Sequence, residues 1–281
     1  GAIHIVFGSA QGLSEARVLR RPASRLDEFG SRLRIGDVDG DGDLDLAEGA
    51  PRRLDGGRGH ASWCRGTARG PRECRVVSDG RGVVSVEVAD LDGDGRAEVI
   101  EGDPGPPAAD GVGVRPSVRI YRGEPQGPGS RLATLRPPRG ARAGSPFGSA
   151  VVVGRLDGDR FPDLAVTAPA TKPEASRVVV FAGGPDGPGR SPGRSYLAAL
   201  AGMRGASIGR GATVLKLRGP GSDDLVVGVT GSSGPAVGIL VLEGGGEHLI
   251  PRGVTRLHGL ALPPGKDPED ARVRLARPTY G

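Results

Sequence analysis

The clearest chemistry in this sequence lies in carboxylates placed at alternate positions. Asp37, Asp39, Asp41 and Asp45 fall at positions 1, 3, 5 and 9 of a short loop that has Gly42 at position 6. Asp90, Asp92, Asp94 and Glu98 repeat the spacing, with Gly95 at position 6. Short acidic side chains alternating around a tight turn can all point inward, and such an oxygen-only donor set suits a hard cation, Ca2+ before Mg2+. Glycine at position 6 lets the backbone take positive φ, so that the next carbonyl, that of Asp43 or Arg96, faces the ion. Without a cation, each pair of carboxylates ~4 Å apart costs up to ~4 kcal/mol at a surface dielectric. Two Ca2+ sites are therefore expected. A third, with fewer ligands, is expected at Asp157, Asp159 and Asp163, where Arg155 has taken position 1 and Arg160 position 6. In a fourth loop Lys216, Arg218 and Pro220 occupy the first three ligand positions, which excludes a metal, yet Asp224 persists at position 9. A salt bridge from Lys216 or Arg218 to Asp224 is the expected replacement for the ion.

The segments that carry these loops repeat. Phe29–Pro51, Val83–Pro104, Phe147–Pro169 and Ile208–Gly231 each read as an alternating apolar strand, a polar loop and a second strand. A further apolar strand closed by Gly follows each one, ending at Gly66, Gly123, Gly183 and Gly244. The position-9 acids Asp45, Glu98, Asp163 and Asp224 are 53, 65 and 61 residues apart. A unit of three or four strands recurring at about 60 residues has the size of a β-propeller blade. Composition agrees. With 51 Gly and 25 Pro among 281 residues, long helices are excluded by helix propensity, and recurring runs such as Val151-Val152-Val153 argue against disorder.

The expected architecture is one all-β domain over residues 1–281, with repeats near 29–82, 83–146, 147–207 and 208–253. A last blade would be shared between 254–281 and 1–28, making about five blades. Ile3–Gly8 reads as a strand from the later half of a blade, and Ala271–Pro278 reads as the strand that follows a loop. Closing the ring with strands from both ends protects edges that an open sheet would expose. A fragment of a larger, seven-bladed propeller is the competing account.

The Phe-Gly starts at Phe29-Gly30 and Phe147-Gly148, the acidic loops and the Gly-Ala-Pro exit at Gly49-Ala50-Pro51 resemble the FG-GAP repeat of integrin α-subunit propellers and of secreted bacterial FG-GAP/VCBS repeat proteins. The resemblance covers nearly the whole chain and is clearest from Phe29 to Pro169. It implies a secreted or cell-envelope, non-catalytic, calcium-binding module that engages a protein or glycan in adhesion. Because some calcium-dependent propellers are polysaccharide lyases that act on acidic sugars through channel Arg and Lys, a lyase, hydrolase or lectin is the alternative.

Rival motifs fail on context. Both acidic loops also fit the EF-hand pattern through Glu48 and Glu101 at position 12, but Gly49-Ala50-Pro51 and Gly102-Asp103-Pro104 forbid the helix that an EF-hand requires. Gly205-Ala206-Ser207-Ile208-Gly209 fits G-x-S-x-G but runs into a strand instead of the helix of a nucleophile elbow. His4, His60, His248 and His258 show no zinc spacing, and no Walker-type sequence is present. Trp63 reads as strand packing rather than as a sugar platform. The net charge of +5 is dispersed among 33 acids, and nine aromatics are too few and scattered for base stacking, so nucleic acid is excluded as a partner. No apolar run approaches a membrane span, and a monomer is expected. Cys64 and Cys74 flank a Gly/Pro turn: in a hairpin they would be within disulfide reach, and otherwise they are free thiols.

Overall fold

The computed structural model describes residues 2–20, 28–51, 59–78, 82–105, 115–138, 146–170, 176–189, 195–197, 206–217, 221–231, 237–246 and 249–257. Every regular element among them is a strand. A hairpin comes first, β1 (Ala2–Ser9) and β2 (Gly12–Arg20). Four antiparallel four-stranded sheets follow. Sheet one holds β3 (Arg32–Gly36), β4 (Asp45–Ala50), β5 (His60–Arg65) and β6 (Arg72–Ser78). Sheet two holds β7 (Ser85–Ala89), β8 (Glu98–Asp103), β9 (Ser117–Tyr121) and β10 (Arg131–Leu135). Sheet three holds β11 (Ala150–Gly154), β12 (Asp163–Ala168), β13 (Arg177–Phe181) and β14 (Ser195–Leu197). Sheet four holds β15 (Ala206–Leu215), β16 (Asp224–Gly231), β17 (Val237–Glu243) and β18 (Ile250–Leu257).

Within each sheet the strands are ordered as in the chain, and the first strands lie against one another, β3 on β7, β7 on β11 and β11 on β15. This is the radial, propeller-like stacking expected from the repeats, with the acidic loops joining the innermost strand to the next. The second strands are buried along their whole length in sheets one to three. Apolar clusters fill each junction: Trp63 with Val86 and Val99 between sheets one and two, Phe147 with Ile120 and Val166 between two and three, and Ile208 with Leu156 and Leu240 between three and four. Trp63 is buried, as a packing role requires.

The Phe-Gly pairs explain how one sheet seats on the last. Gly148 has φ +94°, and a Cβ there would press on the backbone of Asp103 and Ser117 in the preceding sheet. Gly30 has φ +87° and lies in the same way against the Ala2 carbonyl of β1. Phe29 joins Ile3 and Leu46 in a core that Leu19 also touches. The β1–β2 hairpin thus stands to sheet one as β9 and β10 stand to sheet three. β1 pairs with β2 alone among the described strands. The expected closing strand Ala271–Pro278 lies outside the described residues.

β5 and β6 form the hairpin in which Cys64 and Cys74 are directly paired, and a disulfide joins them. No helix among the described residues is long and apolar enough to cross a membrane.

Candidate metal centres

Each loop is built on its position-9 acid. Asp45 is buried at the start of β4; its Oδ2 accepts the Val38 N–H at 2.9 Å and its Oδ1 accepts the Gly66 N–H. Glu98 accepts Leu91 N–H at 2.9 Å and Gly123 N–H at 3.5 Å. Asp163 takes the N–H groups of Leu156 (2.8 Å), Asp157 (3.1 Å) and Gly183 (2.9 Å). Asp224 takes those of Leu217 (3.2 Å) and Gly244 (3.1 Å). In all four sheets one carboxylate therefore ties the loop to the glycine that closes the third strand. Leaving two such amides unpaired in a buried site would cost ~1–3 kcal/mol each.

In the fourth loop this staple gives Asp224 a role in holding the backbone that needs no metal. Lys216 is exposed, and no ion pair joins it to Asp224 among the described residues; Arg218 lies outside them.

Above the staple, loops one and two bring their acids together. Asp37, Asp39 and Asp45 each offer an oxygen within 4.8 Å of the others, and so do Asp90, Asp92 and Glu98. Asp37 wraps the turn, its oxygens accepting the N–H groups of Gly40, Asp41 and Gly42, while Asp90 accepts those of Gly93 and Gly95. Gly42 and Gly95 have φ of +88° and +89°, as expected at position 6. Asp41 and Asp94, at position 5, accept the N–H groups of Asp43 and Arg96 and stand outside the two triads. In loop three Asp157 and Asp159 accept the N–H groups of Asp159 and Phe161, and no three-acid cluster forms. Arg155 at position 1 takes away the ligand that would have completed one.

The electrostatics mark both triads as crowded with negative charge. Burial raises the Asp39 carboxyl above the usual carboxylate range, with Asp45 and Asp41 pushing the same way and Arg65 opposing. Glu98 is raised to about 7, chiefly by burial, with Asp92 and Asp90 adding to it against the Leu91 and Gly123 amides. Asp41 is lowered by the Asp43 N–H and by Arg65. Asp39 Oδ2 is buried and finds no aligned hydrogen-bond donor. Convergent oxygen donors of this kind, with the Asp39 carboxylate buried among them, fit a hard divalent cation.

Glu48 and Glu101, the residues that would complete an EF-hand, point elsewhere. Glu48 accepts the Gly30 N–H and lies 3.5 Å from His60; Glu101 pairs with Ser78 and Arg119. Strands β4 and β8 follow the loops, not helices. Ser207, of the G-x-S-x-G match, donates to the Ala170 carbonyl from within a strand. His248 and His258 lie outside the described residues.

Two arginines stand at the triads, where the spacing of acids did not reveal them. Arg65 places Nε 2.9 Å from Asp39 Oδ2 and Nη2 2.9 Å from Asp41 Oδ2. Arg122 places Nη1 3.4 Å from Asp92 Oδ2. Both immediately precede the closing glycine of the third strand, where sheets three and four carry Ala182 and Glu243. That contrast was the signal available in the sequence. Neighbouring loops are also tied together: the Ala97 N–H donates to the Asp37 carbonyl at 2.7 Å, and the Asp223 N–H to the Arg155 carbonyl at 2.8 Å. Pro162 holds the corresponding position in loop three and has no N–H to give.

Comparison with known proteins bears on the fold and the repeats. No curated protein matches the chain. Among solved structures, an exotype rhamnogalacturonan lyase, YesX, is similar with TM-score 0.50 and 14% identity over 86% of this chain and 49% of the lyase. A rhamnogalacturonan lyase from Bacillus licheniformis (TM-score 0.45, 15% identity, 75% of this chain and 46% of that one) and an endo-arabinase from Bacteroides thetaiotaomicron (0.42, 12%, 84% and 82%) are also similar. The chain spans about half the length of these lyases, and identity this low speaks to fold alone. The family model for the FG-GAP repeat matches residues 29–62 and 147–181, the two segments that open on Phe-Gly. The chain thus carries FG-GAP repeats at two places, within an all-β, propeller-like fold.

Proposed function

We propose that this chain is a calcium-stabilised, extracytoplasmic propeller that binds a protein or glycan and does not catalyse a reaction. The observation that carries the reading is the pair of three-acid clusters in adjacent loops, each with its oxygens inside 4.8 Å. Asp37, Asp39 and Asp45, with Asp41 and the Asp43 carbonyl, would hold one Ca2+. Asp90, Asp92 and Glu98, with Asp94 and the Arg96 carbonyl, would hold the second. The ion would neutralise the carboxylates and lock the turns, which gives it a structural role. The Asp157, Asp159 and Asp163 loop would bind far more weakly, if at all, for want of a first ligand. The Cys64–Cys74 disulfide supports an oxidising compartment, hence secretion or the cell envelope.

Five blades is the count that fits best. The hairpin sits on sheet one as the outer half of a blade, β1 pairs with β2 alone among the described strands, and Leu33, Ile35 and Leu215 on the flanking inner strands β3 and β15 are exposed. A strand at Ala271–Pro278 paired to β1 would cover that gap, in a monomer. The competing reading, a carbohydrate-active enzyme, draws only on a fold shared with lyases at 14% identity.

Titration calorimetry with CaCl2 tests the metal reading. Two equivalents should bind in the ~10−4–10−3 M range of extracellular modules, and Asp39→Ala and Asp92→Ala should each remove one. A glycan array, alongside an assay for unsaturated products from acidic polysaccharides, separates binding from lysis. Product release by the purified chain would refute the non-catalytic reading.

A further inference from the structure

Arg65 and Arg122 occupy, in the two acid-rich loops, the place where positive charge is most needed. Arg65 spans Asp39 and Asp41 with two nitrogens at 2.9 Å, and its side chain is 40% exposed while that of Asp39 is 1% exposed. The guanidinium thus reaches in from solvent to an otherwise buried carboxylate. Arg122 approaches Asp92 from the equivalent position, its side chain 39% exposed against 5% for Asp92. Within this one molecule the arginine goes with the triad. Loops one and two have both, whereas loop three has Ala182 and no triad, and loop four has Glu243 and neither acid. Four loops on one scaffold thus form an internal control, in which an arginine adjoins the closing glycine only where acids converge.

We infer that Arg65 and Arg122 are resident counter-cations which a divalent ion must move off Asp39 and Asp92 to bind, and that they set the affinity and reversibility of the two sites. The inference rests on the calcium reading above. A guanidinium beside Asp39 Oδ2 and a metal bound to the same oxygen would be two cations a few ångströms apart, and they repel at the range where the carboxylates attract both. The exposed half of each arginine gives it somewhere to go, since the stem can stay on the strand while the charged head swings into water. When calcium is scarce the arginine neutralises the loop and keeps it folded. When calcium is plentiful the arginine is released at the molecular surface beside the filled site. A loop with three acids and no arginine would instead hold its metal continuously.

The test is calcium affinity and melting temperature in wild type, Arg65→Gln, Arg122→Gln and the charge control Arg69→Gln, whose residue lies in the β5–β6 turn. Arg65→Gln and Arg122→Gln should each tighten one of the two sites by about tenfold, the effect of removing one adjacent charge in a partly screened setting. In EDTA both should melt below wild type, because their carboxylates lose a neutralising partner. Arg69→Gln should change neither quantity appreciably. Unchanged or weaker calcium binding in Arg65→Gln and Arg122→Gln overturns the inference, and so does equal tightening by Arg69→Gln, which would reduce the effect to net charge. If no variant and no wild type binds calcium, the metal reading itself fails, and the displacement inference falls with it. The EDTA melts then still report whether the arginines hold the empty loops together.

Discussion

Loops one and four sit at equivalent places on the same scaffold and are closed by the same bond pattern, yet only one gathers charge. In loop one Asp45 takes the Val38 and Gly66 amides while Asp37 and Asp39 converge beside it. In loop four Asp224 takes the Leu217 and Gly244 amides with Lys216 turned outward. The difference separates two roles that the linear pattern fuses. The position-9 acid is an architectural staple found in all four described four-stranded sheets, and the acids at positions 1 and 3 form an optional layer that calls for a cation. Loop three is the intermediate case, with an intact staple, Arg155 at position 1 and no converged triad.

The largest expected effect comes from cutting the staple. Asp224→Ala should destabilise by about 1–3 kcal/mol in urea melts, from two partly buried amides left without their acceptor, and equally with calcium or with EDTA. Asp45→Ala should lose as much in EDTA and more in calcium, because the ion goes too. Equal losses in both conditions for Asp45→Ala would mean that loop one binds nothing.

Calcium stoichiometry sharpens the comparison at intermediate scale. Asp157→Ala should leave the number and affinity of calcium ions unchanged, whereas Asp92→Ala should remove one ion. Loss of an equivalent in Asp157→Ala would restore loop three to the metal sites. The smallest effect belongs to Lys216→Ala, expected within ~0.5 kcal/mol of wild type because the residue is exposed and outside the staple. A loss above ~1 kcal/mol would assign Lys216 the salt bridge expected in loop four.

The strands were legible because alternating apolar residues and closing glycines fix both faces and ends; β4, β8 and β12 start at the acids Asp45, Glu98 and Asp163. Convergence of two triads was legible from 1, 3 and 9 spacing. What the spacing could not reveal is where a carboxylate spends its lone pairs. Asp163 and Asp224 look like residual ligands in sequence, but their partners, the Gly183 and Gly244 amides, lie 20 residues away. Arg65 was hidden for the same reason, since its pairing with Asp39 crosses from one strand end to another loop. The cysteines were ambiguous until β5 and β6 fixed Cys64 opposite Cys74.

The central claim is that two of four similar loops carry structural calcium. Scanning calorimetry of the full chain in excess EDTA and in about 10 mM CaCl2 tests it most directly, with MgCl2 for comparison. Two sites in the expected affinity range predict a rise in melting temperature of about 5–15 °C with calcium, a smaller rise with magnesium, and loss of roughly half the calcium effect in Asp39→Ala. A melt unmoved by chelator and by calcium would contradict the account.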